Sequence, residues 1–282
     1  MPMRETRTST APARFASIGA FLAARASVSG TVEIDHHGVP LHFLYDWRDA
    51  PTTLVSFAGS VPAKVKHVPA WSGDRMSQGL GVNRVLISDP TIALSTALQL
   101  AWYGGNSQQP NLQRDLTDLI SAISEDTRTI LFGPSGGGFA ALYQAAMLPD
   151  TFALVSNPQT SVFRYTKAAV EKYMTIGWST ALNTERVPFT ADVVDLYARP
   201  NSASVVYMQN TSDRHHMRRH LPRFREALHP ENRVEFLLPD FGPGHIGSDR
   251  QTFIRLLETM RDHPRWDELT TAIRGLELTR NV

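Results

Sequence analysis

The sequence predicts an α/β fold in which a mostly parallel central sheet carries helices on both faces. Short apolar strands and amphipathic helices alternate along most of the 282 residues, after a hairpin formed by Thr31–Asp35 and Val39–Trp47. The apolar run Thr127–Phe132 does not alternate with polar residues, as is typical of a parallel strand buried on both faces. The length suits one large α/β domain that buries a sizeable core.

Apolar periodicity places the other elements along the chain. The segment 160–200 contains helical stretches but no clear strand, which indicates an inserted helical cap. We therefore expect an N-terminal arm at 1–30 and one α/β domain at 31–282 with a cap insertion at 160–200. Beyond the hairpin, the predicted strands are 52–57, 84–88, 127–132, 152–156, 204–208 and 234–238, and the predicted helices are 112–123, 139–147, 166–174, 191–198, 217–228, 253–260 and 266–276.

Composition excludes several classes of protein. With 42% hydrophobic and 20% charged residues, the chain is expected to be globular. A net charge of +1, spread through the sequence, gives no basis for binding nucleic acid or an anionic membrane. The absence of cysteine excludes disulfides, cysteine-based zinc sites and a cysteine nucleophile, and it fits a reducing compartment. No apolar run reaches the ~18 residues that a membrane-spanning helix needs, so a cytoplasmic protein without an integral membrane segment is expected.

One short motif carries the chemistry. The residues Gly-Pro-Ser-Gly-Gly at 133–137 match the pattern Gly-x-Ser-x-Gly, with a buried strand directly before them and an apolar helix directly after. A sharp strand-to-helix turn holds a serine hydroxyl above the edge of the sheet, and the flanking glycines avoid steric clashes there. Ser135 is therefore the candidate nucleophile. The N–H of Gly136, at the start of the helix, is a candidate donor to the oxyanion.

Two other interpretations of this motif remain open. The first is a plain glycine-rich turn between a strand and a helix. The second is a nucleotide-binding loop, because Gly133, Gly136 and Gly138 are suitably spaced. A Walker loop needs a lysine followed by serine or threonine, where this chain has Phe-Ala at 139–140. A dinucleotide fingerprint usually follows the first strand, whereas several predicted strands precede this one.

With the elbow and its context, the sequence from about 31 to 260 resembles the α/β-hydrolase superfamily. The resemblance implies a catalytic triad in the order serine, acid, histidine. Asp213 follows the strand 204–208 and His245 lies in a Gly-Pro-Gly-His loop after the strand 234–238. His245 would be the general base and Asp213 would orient it. Asp240 is the alternative acid, while Asp213 could also be a helix N-cap and His245 an ordinary loop histidine.

The resemblance also locates the second oxyanion donor in the loop after the third strand. Relatives often carry His-Gly there, whereas this chain has Ala-Gly-Ser at 58–60, so Ser60 or Gly59 would donate its N–H. A further group of aromatic and amide side chains could bind a polyol or sugar by stacking and paired hydrogen bonds, although the aromatic members could equally be core residues. These candidate substrate-binding residues are Trp102, Tyr103, Asn157 and Gln159.

The function implied is a serine esterase that forms an acyl-enzyme on a small-molecule ester, an acylated saccharide being one candidate. An acyltransferase with the same triad is the alternative, and a non-catalytic binding protein on the same fold is an alternative of another class. No cofactor, metal or nucleic-acid partner is expected, and the sequence gives no oligomeric state. His216 and His220 are four residues apart, but the interval lacks the glutamate of a zinc-protease motif, so both are expected to be solvated.

Overall fold

The computed structural model describes residues 11–62, 69–180 and 187–276. Among these residues, nine strands form a single sheet in the order β1-β2-β3-β5-β4-β6-β7-β8-β9. The strands are β1 Ala13–Phe15, β2 Gly30–His36, β3 Val39–Asp46, β4 Thr52–Phe57, β5 Asn83–Ile87, β6 Arg128–Pro134, β7 Phe152–Ser156, β8 Ser204–Met208 and β9 Arg233–Leu237. The α-helices are α1 Ile18–Ala24, α2 Asp74–Ser77, α3 Leu112–Ile123, α4 Ser135–Met147, α5 Lys167–Trp178, α6 Val194–Tyr197, α7 Arg214–Arg219, α8 Leu221–Ala227, α9 Arg250–Asp262 and α10 Trp266–Arg274.

The mostly parallel sheet predicted from the sequence is confirmed. Strands β4 to β9 run parallel to one another, and only β3 runs antiparallel to its neighbours β2 and β5. Every residue of β4, β5, β7 and β8 is buried, as is typical of parallel strands covered by helices on both faces. Because β6, β7, β8 and β9 are neighbours in this order, their carboxyl ends lie side by side at one edge of the sheet.

Helices cover both faces of the sheet, as expected. On one face, Leu116 of α3, Phe139 of α4 and Phe224 of α8 belong to the larger hydrophobic core. On the other face, Met76 of α2 and Leu256 of α9 belong to a second core beneath β4, β6, β7 and β8. Within the three described ranges, every helix is too short or too polar to cross a membrane.

The described part of the predicted N-terminal arm packs against the sheet. Strand β1 pairs in parallel with β2, and α1 buries Phe21 completely. The ring of Phe21 makes edge-to-face contacts with Phe43 at 4.9 Å and Tyr45 at 5.3 Å between centroids. Residues 1–10 of the predicted arm lie outside the described residues. In the predicted cap, α5 and α6 are helical, and residues 181–186 lie outside the described residues.

The single helix predicted at 217–228 is wrong in one respect, because the chain forms two helices there. Helix α7 ends at Arg219 and α8 begins at Leu221, with His220 as the residue between them. Pro222 lies in the first turn of α8, where its missing N–H has no helical partner to lose. In the middle of a continuous helix the same proline would remove a hydrogen bond and clash with the preceding turn.

Candidate active site

Ser135 lies at the junction between the carboxyl end of β6 and the first turn of α4. Its φ angle is +53°, in the left-handed region that residues with a Cβ rarely adopt. Backbone strain of this kind persists only where the surrounding structure holds it in place. The residue is 8% exposed. The N–H groups of the first turn of α4 have no partners within the helix, so they are available to a negatively charged atom beside Ser135.

Close backbone approach explains the glycines of the elbow. A Cβ added to Gly137 would lie 2.8 Å from the carbonyl oxygen of Ala58 and still closer to that of Phe57. A Cβ on Gly133 would collide with the carbonyl of Gly137 across the turn. Both obstacles are backbone atoms, which cannot turn aside as a flexible side chain can. The glycines therefore let β4, β6 and α4 meet tightly beneath Ser135.

We expect Gly137→Ala to lower the free energy of unfolding by about 3 kcal/mol or more, because the new methyl group overlaps the end of β4. Urea denaturation followed by circular dichroism measures this change. Gly79→Ala is the matched control, since a Cβ there meets nothing within 4 Å. Equal midpoints for the two variants would contradict the close approach described here.

His245 and Asp213 contact each other at the carboxyl ends of β9 and β8. The Nδ1 atom of His245 lies 2.6 Å from Oδ2 of Asp213. Asp213 is also the N-cap of α7, because its Oδ1 accepts a hydrogen bond from the backbone N–H of His216 at 3.2 Å. The side chain of Asp213 is 3% exposed, whereas that of His245 is 39% exposed. The Nδ1 edge of the imidazole thus contacts a buried carboxylate, while part of the ring is exposed to the solvent.

Electrostatics distinguish the two candidate acids. Burial by itself raises the pKa of Asp213, but hydrogen bonds from His216 and His245 outweigh burial and hold that pKa well below its ordinary value. Asp213 is therefore a carboxylate at any pH where His245 can act as a base. Asp240 is fully exposed, and its Oδ1 accepts a hydrogen bond from the N–H of Gly242 at 2.8 Å. The geometry favours Asp213 as the partner of His245.

Two asparagines hold the loop that carries His245. The Nδ2 of Asn210 donates to the carbonyl oxygens of Gly242 and Gly244 at 2.9 and 3.0 Å. The Nδ2 of Asn157 donates to the carbonyl of Ile246 at 2.9 Å, and its Oδ1 accepts from the N–H of Asn210 at 2.7 Å. Asn157, predicted to bind substrate, thus contacts the histidine loop, and it also lines a cavity that contains Ser135 and His245.

The role of Asn210 is not among the sequence predictions. The sequence does hold a signal for it, because an asparagine follows each of the neighbouring strands β7 and β8: Asn157 after β7, and Asn210 after β8, three residues before Asp213.

The hydroxyl of Ser135 is bonded to an amide in the core. Gln159, which is fully buried, donates from Nε2 to the Oγ of Ser135 at 3.0 Å and from its backbone N–H to the carbonyl of Ser135 at 3.1 Å. The indole N–H of Trp102 donates to Oε1 of Gln159. Because an indole nitrogen can only donate, this bond fixes the amide with its NH₂ group towards Ser135. Among the contacts of the described residues, Oγ is therefore bonded to Gln159 and not to His245.

We expect Gln159→Met to lower the free energy of unfolding by about 1–3 kcal/mol, because the buried indole N–H of Trp102 loses its acceptor. Chemical denaturation of the purified variant measures this loss. The control is Gln251→Met, since Gln251 is exposed in the first turn of α9. If the two substitutions cost the same, the bond between Trp102 and Gln159 contributes nothing to stability.

Trp102 and Tyr103, predicted to contact substrate, lie in the core and line no part of the cavity beside Ser135. Both have positive φ angles, +53° and +56°, in a turn that directs their side chains inward. The hydroxyl of Tyr103 accepts from the N–H of Ala58 at 2.6 Å and donates to the carbonyl of Ile87 at 2.8 Å. These residues therefore support the elbow and the loop at 58–60 from beneath, and the prediction of substrate contact is corrected.

Ser135 and His245 line one cavity of about 640 Å³. Gly59 and Ser60, the candidate oxyanion donors, form part of its wall, and a Cβ on Gly59 would lie 3.6 Å from the Cβ of Ser135. Apolar side chains form much of the remaining wall, including Val61, Pro62, Trp71 and Phe253. Ser60 also lines a second cavity of about 230 Å³, whose polar members include Gln99, Thr166 and Lys172. Two cavities of different polarity therefore meet at Ser60, beside the nucleophile.

The chemistry of two histidine clusters argues against a metal ion. Asp213, His216 and His245 offer ligand atoms within 4.8 Å of one another. The rings of His216 and His245 are stacked within 16° of parallel, so their in-plane lone pairs do not converge on one point.

In the second cluster, His36 faces Asp115 through Nε2 at 3.0 Å. The amide of Gln109 donates to Nδ1 of His36 at 2.9 Å, which leaves the proton on Nε2, where a metal would need the lone pair.

The expectation that His216 and His220 are solvated is wrong. His216 is 1% exposed and His220 is 0% exposed. Their burial depends on distant parts of the chain. The ring of Tyr165 lies 6.2 Å from that of His216, and the backbone N–H of Thr160 donates to Nδ1 of His220 at 3.2 Å. Burial lowers the pKa of both histidines, and nearby ring charges add to that shift, so both are neutral at physiological pH.

Solved structures similar to this chain share the α/β-hydrolase fold. One is the capsule O-acetyltransferase of Neisseria meningitidis serogroup A, with a TM-score of 0.59 and 15% identity over 80% of this chain and 95% of the other. Another is an S-formylglutathione hydrolase from Agrobacterium tumefaciens, with a TM-score of 0.53 and 15% identity over 88% of this chain and 94% of the other. Neither a protein-family profile nor a curated protein matches the sequence. The similarity establishes the fold, and the chemistry has to be argued from the site.

Proposed function

We propose that this chain, which has the α/β-hydrolase fold, is a serine esterase that acts through a covalent acyl-enzyme. The observation that carries the proposal is the 2.6 Å contact between His245 and Asp213, in a cavity that His245 shares with the strained Ser135. A serine hydroxyl becomes a nucleophile when a base removes its proton, and a buried carboxylate makes a histidine an effective base.

The steps follow from the positions of these groups. The hydroxyl of Ser135 turns from Gln159 towards His245, whose Nε2 accepts its proton while Oγ bonds to the ester carbonyl carbon. Asp213 stabilises the imidazolium that forms. The carbonyl oxygen becomes an oxyanion, which the N–H of Gly136 and the N–H of Ser60 or Gly59 stabilise. His245 then returns the proton to the leaving alcohol, and water releases the acyl group by the same steps in reverse.

The cavity walls support a division of the substrate into two parts. The apolar residues near Ser135, such as Val61 and Phe253, suit an acyl group. The smaller cavity on the other side of Ser60 carries Gln99, Thr166 and Lys172, which can hydrogen-bond to a hydroxyl-rich alcohol. An acylated saccharide fits this distribution of polar and apolar surface.

An acyltransferase is the second candidate, and the smaller cavity favours it. A separate polar cavity beside the nucleophile can hold an acceptor hydroxyl in place of water. Against it, the 39% exposure of His245 lets bulk water reach the base. The capsule O-acetyltransferase among the similar structures is an acyltransferase, and for this chain that activity is the alternative.

Pre-steady-state kinetics test the proposal. With p-nitrophenyl acetate, we expect a burst of nitrophenolate equal to the enzyme concentration, followed by steady hydrolysis, and no burst from Ser135→Ala. Added mono- and oligosaccharides leave the steady rate unchanged for an esterase, whereas a transferase turns over faster and yields an acetylated sugar. Absence of a burst together with absence of labelling by a fluorophosphonate would contradict both enzymes and favour a binding protein.

A further inference from the structure

A second histidine lies against the buried side of the proposed base. His216, in α7, stacks on His245 with 4.3 Å between ring centroids and an interplanar angle of 16°. Its Nδ1 is 2.9 Å from Oδ2 of Asp213, the same oxygen that lies 2.6 Å from Nδ1 of His245. The contact at His216 lacks the alignment of a hydrogen bond and is an electrostatic one, whereas His245 is hydrogen-bonded to the same oxygen.

The carboxylate fixes the protonation state of His216. The negative charge of the carboxylate repels a lone pair on an imidazole nitrogen 2.9 Å away and attracts an N–H there, so Nδ1 of His216 carries the proton. Burial lowers the pKa of His216, and the charge of a protonated His245 lowers it further. His216 is therefore a neutral ring with its proton on Nδ1. Both ring nitrogens of His216 are buried without an aligned hydrogen-bond partner among the described residues, so the nearby carboxylate of Asp213 orients the ring by electrostatic attraction.

We infer that His216 is a positioning residue for His245, because it holds the Asp213 carboxylate from the buried side and supports the imidazole of His245 with a neutral aromatic face. The inference rests on the proposed function, in which His245 is the base. A neutral ring stacked on an imidazole that becomes a cation during each cycle adds a favourable cation–π contact at that moment. The backbone N–H of His216, which binds Oδ1 of Asp213, completes the orientation of the carboxylate.

The shared oxygen has a consequence for the pH profile. The N–H of His216, 2.9 Å from Oδ2 of Asp213, offsets part of the negative charge that this carboxylate offers to the imidazolium of His245. Removing that donor strengthens the remaining bond, so protonation of His245 persists to higher pH. The titratable groups that face His216 from its own helix and from the elements packed on it are Asp213, His215, His220, His245 and Tyr165.

Two substitutions separate the electrostatic contact with Asp213 from the stacking on His245. His216→Phe keeps a ring but removes the donor. We expect kcat to fall about 10-fold, KM to stay unchanged, and the acid limb of kcat/KM to move up by about 0.5–1 pH unit. His216→Asn places an amide donor near the position of Nδ1 without a ring, so we expect kcat to fall while the acid limb stays in place. If both folded variants keep the wild-type kcat and acid limb, and only their thermal midpoints fall, His216 is merely structural and the inference is wrong.

Nitrogen-15 NMR of the histidine rings in the wild-type protein gives a test that does not need a folded His216 variant. The inference requires a neutral His216 with its proton on Nδ1, both in the wild type and in His245→Ala. A proton on Nε2 of His216 would overturn it. If Ser135 fails to react with a fluorophosphonate while His216 carries its proton on Nδ1, the result contradicts the proposed function but not the inferred protonation of His216. If Ser135 reacts and the proton is on Nε2, only the inference has failed.

Discussion

Ser135→Ala is expected to lower kcat/KM for p-nitrophenyl acetate by about 10⁵- to 10⁶-fold and to abolish labelling by a fluorophosphonate. The reason is that a methyl group cannot form the acyl-enzyme, and the chain has no cysteine to replace the hydroxyl. His245→Ala should cause a loss of similar size, since residues that act as one unit lose most of their effect when any one of them is removed. Steady-state kinetics and mass spectrometry of the labelled protein measure these two losses.

A neighbouring serine provides the control for this experiment. Ser156, at the end of β7, lines the same cavity and is buried as Ser135 is, but it lies outside the elbow. Ser156→Ala should keep both turnover and labelling. Labelling that survives in Ser135→Ala and disappears in Ser156→Ala would identify Ser156 as the nucleophile and contradict the proposed mechanism.

Asp213→Asn is expected to reduce kcat by about 10⁴-fold, because an amide in place of the carboxylate no longer fixes the tautomer of His245 or stabilises its cation. Asparagine is as good an N-cap as aspartate, so α7 should stay intact and the loss should be chemical. The thermal midpoint of the variant, measured beside its kcat, separates the two effects. Asp240→Asn is the matched control and should leave kcat unchanged. A large loss in Asp240→Asn instead would identify Asp240 as the acid.

The free energy of unfolding that Asp213→Asn loses relative to the wild type should depend on pH. Because the folded-state pKa of Asp213 is lowered, its carboxylate contributes stability that is present above the ordinary aspartate pKa and is lost as the pH falls through the folded-state value. The difference in free energy of unfolding between wild type and variant should therefore be largest near neutral pH and shrink in acid.

Local patterns were enough to predict the sheet and the elbow. The β-branched and apolar strand before Ser135 shows no alternation, as is typical of a strand buried on both faces, and glycines follow it where a helix must approach closely. The favoured candidate acid, Asp213, could be chosen over Asp240 on position alone, because it directly follows a strand whose end lies at the same edge of the sheet as the end of β6. These inferences need only the order of elements and the parallel direction of the strands.

Contacts between distant segments account for what the sequence did not predict. Trp102 and Tyr103 are aromatic residues of the kind that often bind sugars. In this fold they are buried, and their polar atoms donate hydrogen bonds to Gln159 and to the carbonyl of Ile87. His215 and His216 have a polar local pattern, and the ring of Tyr165, from a distant segment, packs against both of them. No spacing rule indicates which remote residues will cover a helix or pair with a side chain.

The loop that carries His245 is held by Asn157 and Asn210, which bear no net charge. Dissolved ions weaken the attraction between charged groups over several ångströms but have little effect on short hydrogen bonds between neutral amides and carbonyls. The placement of the base should therefore be the same in dilute buffer and in concentrated salt. A response of the reaction to ionic strength would then point to charged groups instead, such as a charged substrate that approaches Lys172 in the wall of the smaller cavity.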